Sequence, residues 1–208
     1  MVLSSSSAAL ARFGRTFALT CAVCLGGALP LPAASLDLAD LPGDWQRLLT
    51  GLREQSGECA AFEEARYRPF KRLPSNFAGE AHFAPELGLT LHYTQPVDVT
   101  YRLHAEGLTR INADGDRREF QQAEVQALAA VMRQALAFDW AALAEQYTAD
   151  GQLGDGDWQL ALSPRSEAES EALGYRTVKL AGNARELTRL ELERSNRERV
   201  VITFTPCE

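Results

Sequence analysis

The chain has 208 residues, with 28 aspartates and glutamates against 21 lysines and arginines and a formal net charge of −7. An acidic chain without a basic run argues against nucleic-acid binding, which depends on neutralising phosphates, and against permanent attachment to an anionic membrane surface. Arg12 and Arg15 precede an apolar run from Phe17 to Leu29, no acidic residue occurs before Asp37, and Ala33-Ala34-Ser35 offers small residues of the kind a signal peptidase reads. This is the layout of a secretory signal peptide over residues 1–35, cleaved after Ser35 and exporting the protein to an oxidising compartment. The run is short for a membrane span, which needs about 20 residues; an uncleaved N-terminal anchor is the alternative.

The mature domain is then residues 36–208, 173 residues carrying a net charge of −9 once Arg12 and Arg15 are removed. That length suits one domain with one core. Export leaves Cys59 and Cys207 as an even pair in an oxidising compartment, which predicts a disulfide between the two ends of the folded sheet. Two buried free thiols are the alternative.

In chain order, Leu36 to Gly43 reads as a flexible lead-in. Asp44 is placed to cap a helix over Trp45 to Gln55, with Trp45, Leu48, Leu49 and Leu52 on one face. Cys59 to Tyr67 is a strand with weak alternation, and Arg68 to Asn76, with Pro69 and Pro74, is a loop. Phe77 to Phe83 is a strand. In Leu87 to Thr94 the odd positions Leu87, Leu89, Leu91 and Tyr93 are apolar, and in Val97 to Leu103 so are Val97, Val99, Tyr101 and Leu103. A period of two puts each set on one sheet face, and such a face needs a second layer or a ligand over it. Leu108 to Asn112 is a further strand, and Asp114-Gly115 a hairpin turn. The period then changes: Val125, Leu128, Met132 and Leu136 recur at helical spacing within 120–139. Asp139 caps a shorter helix carrying Trp140, Leu143 and Tyr147, and Asp150 to Asp157 is a loop. Strands resume at Trp158–Leu162, Tyr175–Ala181, Glu186–Glu193 and Arg199–Thr205.

Catalytic, cofactor and metal motifs are missing from this pattern. His82, His92 and His104 lie on the polar faces of separate strands, without the cysteine or HExxH helix that would complete a zinc site. Glu63 and Glu64 are sequence neighbours, so a strand points them to opposite faces, and Arg66 and Arg68 beside them suggest an ion-paired solvated edge. Asp150 to Asp157 lacks the calcium-loop spacing, and Ser163-Pro164 lacks the glycines of a nucleophile elbow. A small lipid hydrolase or isomerase remains an alternative, as does a docking or structural protein of the envelope. A binding protein with an apolar cup fits best.

The block Gly79-Glu-Ala-His-Phe-Ala-Pro-Glu-Leu-Gly-Leu-Thr-Leu-His-Tyr-Thr-Gln-Pro96 resembles the core signature of the LolA family of periplasmic lipoprotein carriers: a glycine-led strand, a proline turn, an apolar strand and Thr-Gln-Pro. Phe62-Glu-Glu64, Ala105 to Leu108, Trp158-Gln-Leu-Ala-Leu-Ser-Pro164, Leu190-Glu-Leu192 and Val201-Ile-Thr-Phe204 fall where that family has its other strand motifs. The likeness spans nearly all of the mature chain.

The resemblance implies a β-rich α+β fold: an incomplete antiparallel β-barrel, in effect a curved sheet, with helices covering its concave apolar face. It implies a monomeric carrier that shields the acyl chains of a lipoprotein, or of another acylated or polyene lipid, between an inner-membrane exporter and an outer-membrane acceptor. Phe83, Leu89, Leu91, Tyr93, Val99 and Tyr101 are then expected to face a lipid cavity opposite Val125, Leu128, Met132 and Leu136. The sequence departs from the family at two positions. An arginine that precedes the turn proline and ties down the lid is replaced by Ala84, and a tryptophan on the next strand by Leu91. Arg102 or Arg110, on neighbouring strands, is the candidate to supply the missing lid bonds.

Overall fold

A computed structural model describes residues 33–54, 59–84, 88–104, 107–122, 125–126, 129–131, 134, 140–183 and 186–207. The alternating segments become strands: β1 (Ala34–Leu36), β2 (Cys59–Tyr67), β3 (Ser75–Ala84), β4 (Gly88–Gln95), β5 (Val99–His104), β6 (Gly107–Asn112), β7 (Arg117–Phe120), β8 (Tyr147–Leu153), β9 (Asp157–Pro164), β10 (Tyr175–Asn183), β11 (Glu186–Arg194) and β12 (Arg199–Pro206). Three short helices accompany them: α1 (Gly43–Glu54), α2 (Trp140–Gln146) and α3 (Glu167–Leu173). Residues 125–126, 129–131 and 134 are helical as well.

All the strands pair antiparallel in one sheet, in the order β1-β8-β9-β10-β11-β12-β2-β3-β4-β5-β6-β7. β1 and β7 end the sheet with one neighbour each, so the barrel is incomplete. At its middle β12 lies beside β2. There Cys59 and Cys207 form a disulfide with Cα atoms 5.6 Å apart, joining chain positions 148 residues distant.

Registered partners across a sheet share a face. From β12 outward, Val200, Leu192, Val178, Leu162, Ala149 and Leu36 are successive partners, and so are Ile202, Leu190, Leu180, Leu160 and Gly151. These residues form one apolar concave face. Trp45, Leu49 and Leu52 of α1, Leu143 of α2, and Ala129 and Val131 are buried in the same core, so helices cover this face. Gly151 lets α1 come close: a Cβ there would lie 2.2 Å from Leu36 and 2.5 Å from Trp45. Gly79 sits at the irregularity between Ala78 and Gly79, where a Cβ would meet the His92 carbonyl oxygen at 2.0 Å. Any side chain there would force β3 and β4 apart.

Several segments differ from the sequence expectation. The lead-in is ordered: β1 pairs with β8, and Leu38 and Leu41 enter the core. The expected cleavage point after Ser35 therefore lies inside β1. Asp44 stands in the first turn of α1, inside its start. Tyr147 opens β8 instead of closing a helix, and residues 150–153 continue that strand, because Tyr147, Ala149, Gly151 and Leu153 alternate inward despite the glycine- and aspartate-rich composition. Phe120 ends β7, and Val97 lies before β5, half exposed. α3 has no counterpart among the expected elements; it is started by a capping box between Ser166 and Glu169 and stopped by Gly174 at φ 73°.

Candidate functional site

The concave side of β2–β7 carries Leu89, Leu91, Tyr93, Val99 and Tyr101 of the residues expected to face a cavity. One rung of facing residues runs Ala60, Ala81, Leu91, Tyr101, Arg110, Arg118, and the next runs Phe62, Gly79, Tyr93, Val99, Asn112. Leu89, Leu91, Tyr93 and Val99 are buried in the core, and Tyr101 is half-buried against it. The backbone of Phe83 pairs with Leu89; its side chain lies outside the described ones. Val125 is half-buried, and Leu128, Met132 and Leu136 lie outside the described residues. The helical residues buried in the core, Ala129 and Val131, were not among those singled out by spacing.

An aromatic ladder forms the floor. The Tyr93 ring meets Phe62 at 5.0 Å, Tyr101 at 5.5 Å and Phe77 at 5.9 Å, each edge to face, the arrangement favoured by ring quadrupoles. Beside it sits a buried polar cluster. Glu64 is only 3 % exposed. One of its carboxylate oxygens accepts from Arg66 Nε and the other from the Tyr93 hydroxyl. Arg66 Nη2 also donates to the Tyr93 hydroxyl at 3.4 Å, and its guanidinium stacks 4.3 Å over Phe77. This overturns the expectation of a solvated edge at Glu63-Glu64: Glu63 faces water, but Glu64 points into the cup. Burial, then the charge and hydrogen bond of Glu64, push the Tyr93 hydroxyl far above the ordinary tyrosine range, against the opposing pull of Arg66. Burial alone would lower Arg66, but the hydrogen bond and charge of Glu64, with Tyr93, hold it above its ordinary value. The cluster is internally satisfied, which suits a fixed floor better than a reactive centre.

The opposite face of the sheet carries the histidines. His92 lies 3.1 Å from Asp98, His104 bonds Thr109 at 2.8 Å, and His82 lies 4.0 Å from Glu80. Cys59, Glu80 and His82 come together within 4.8 Å, but the Cys59 sulfur is committed to the disulfide and offers no thiolate. Arg102 is exposed on this outer face, since its partner Thr90 alternates with the inward Leu89 and Leu91. It therefore cannot reach a lid over the concave side. Arg110, paired with Tyr101, is on the concave side.

No family model matches the sequence, and comparison with curated proteins gives no match. Among solved structures the chain is similar to a LolA superfamily protein from Nitrosomonas europaea, at 12 % identity over 77 % of this chain and 90 % of that one, with a TM-score of 0.41. It is also similar to a putative outer membrane lipoprotein-sorting protein domain from Vibrio parahaemolyticus, at 8 % identity over 77 % and 91 % of the two chains, with a TM-score of 0.38. A third likeness is to the Pseudomonas aeruginosa MucA/MucB complex, at 16 % identity over 78 % of this chain and 55 % of that one, with a TM-score of 0.39.

Proposed function

We propose that this LolA-like chain is a periplasmic carrier that shields the acyl chains of a lipoprotein or another lipid between the inner and outer membranes. In this reading residues 1–35 are its export signal, whose removal after Ser35 leaves Leu36 as what remains of β1, residues 36–208 are its carrier domain, and it works as a monomer. The observation that carries the reading is the concave face: apolar and aromatic residues in register across the sheet, with helices as their cover. An exposed acyl chain loses about 0.8 kcal/mol per methylene by staying in water, so a carrier needs such a cover.

One end of the sheet suits contact with an exporter and an acceptor. Among the described residues the exposed large apolar side chains are Tyr67, Phe70, Leu73 and Val97, with Phe70 101 % and Leu73 79 % exposed. All lie at or beside the β2–β3 and β4–β5 connections, which antiparallel pairing puts at the same end. Single exposed apolar residues are ordinary, but a cluster marks a contact surface.

The second reading, an envelope docking protein with a filled core, is favoured by the burial of Leu160, Leu162, Val178 and Leu180, each at most 1 % exposed. Fluorescent fatty-acid binding separates the two. The carrier takes up the probe, and Leu91→Asp abolishes uptake and destabilises the fold, because a buried unpaired charge is expensive. A parent protein that takes up no probe supports the filled core.

A further inference from the structure

We infer that Arg110 anchors the anionic head, a carboxylate or a phosphate monoester, of a long-chain amphiphile whose tail lies along the apolar concave face. This rests on the carrier reading above. The rung through Arg110 grades from grease to charge. Leu91 is buried, Tyr101 and Arg110 are half-buried, and Arg118 is exposed on β7 at the free edge of the sheet. A molecule lying along this rung meets Leu91 and the Tyr101 ring first and then two arginines in register on neighbouring strands.

Arg110 is also left unanswered. Its Nε is buried and has no hydrogen-bond partner, and no ion pair joins it to an acid among the described residues. A buried donor normally finds an acceptor, and leaving one unmade is costly. The other concave-face arginine near the ladder, Arg66, is engaged by Glu64, Tyr93 and Phe77, whereas Arg118 stacks on the Phe120 ring at 5.5 Å and forms no ion pair among the described residues. The planar fork of a guanidinium matches two oxygens of a carboxylate or phosphate, which makes an anionic head the fitting acceptor.

The test is titration of the purified protein with dodecanoate, dodecyl phosphate and methyl dodecanoate. We expect the parent to bind at least one anion roughly tenfold tighter than the ester, the effect of one charge-assisted hydrogen bond. Which anion is preferred identifies the head group. Arg110→Met brings that anion down to the level of the ester and leaves ester binding in place; Arg110→Lys keeps part of the preference, and Arg102→Met keeps all of it. Equal binding of acids and ester by the parent, or an intact preference in Arg110→Met, overturns the anchor and leaves the carrier reading standing. A loss of acid and ester binding alike in Arg110→Met marks a structural or lid-holding role and also overturns it. A parent that binds none of the probes overturns the carrier reading, and the anchor with it.

Discussion

Glu64, Arg66 and Tyr93 form a polar cluster on an otherwise apolar floor. Such a cluster stabilises only while complete, because removing one partner strands a buried charge. Arg66→Ala is therefore expected to cost about 3 kcal/mol, the lower end of the range for such losses because the Arg66 side chain is itself 33 % exposed. Replacing the pair together, Arg66→Met with Glu64→Leu, should cost less than the single change; denaturant unfolding of the variants checks both. Tyr147 and Tyr175 make a second buried pair, their hydroxyls sharing a hydrogen bond. Burial raises both above the ordinary tyrosine range; the shared bond adds to the rise of Tyr175 and opposes that of Tyr147. An unfolded tyrosine titrates near 10. The folded state thus holds its protons more tightly, and the stability this contributes is complete below about pH 10 and is lost as pH rises beyond it. Unfolding free energies at pH 8 and pH 10.5 should show that fall, with a shallower fall in Tyr175→Phe. Equal stability at the two values would contradict it. The acidic pair at Glu63-Glu64 was visible in the sequence, and strand alternation placed the two on opposite faces; which face was buried depended on pairing with β3 and β12, which local sequence does not encode.

The elements that sequence could read were those whose pattern agreed with their environment. β4 and β5 alternate cleanly, and their odd residues are the ones that pairing places on the concave side. The helix now seen as α1 carries Trp45, Leu49 and Leu52 into the core as its spacing suggested. β8 was hidden because its turn-forming composition is overridden by pairing on both sides, with β1 and β9. α3 is signalled by Ser166-Glu-Ala-Glu169 followed by Gly174, but it carries no apolar stripe, in keeping with none of its residues being buried. The link between distant elements was legible through the cysteines. Because the Cys59–Cys207 bridge closes a loop of 148 residues, the chain-entropy account gives it up to about 5 kcal/mol. Cys59→Ala with Cys207→Ala should lose a substantial part of that in denaturant unfolding, and the unreduced parent should present no titratable thiol from this pair. Two reactive thiols in the folded parent, or unchanged stability in the variant, would contradict the expectation.

Across the whole molecule, an open sheet with an apolar inner face leaves two outcomes: a core filled by its own side chains, or a space shared with a guest. The inward residues of β8–β12 and of β3–β5 share one core, while the β5–β7 side ends in half-buried Tyr101 and in Arg110, whose buried Nε has no hydrogen-bond partner among the described residues. The most direct measurement is native mass spectrometry of the protein purified from the cells that express it, followed by lipid extraction. The carrier account predicts a population heavier than the polypeptide by the mass of an acylated molecule, and restoration of that population when a stripped sample is incubated with lipid. A single mass equal to the polypeptide alone, unchanged after incubation, would contradict it.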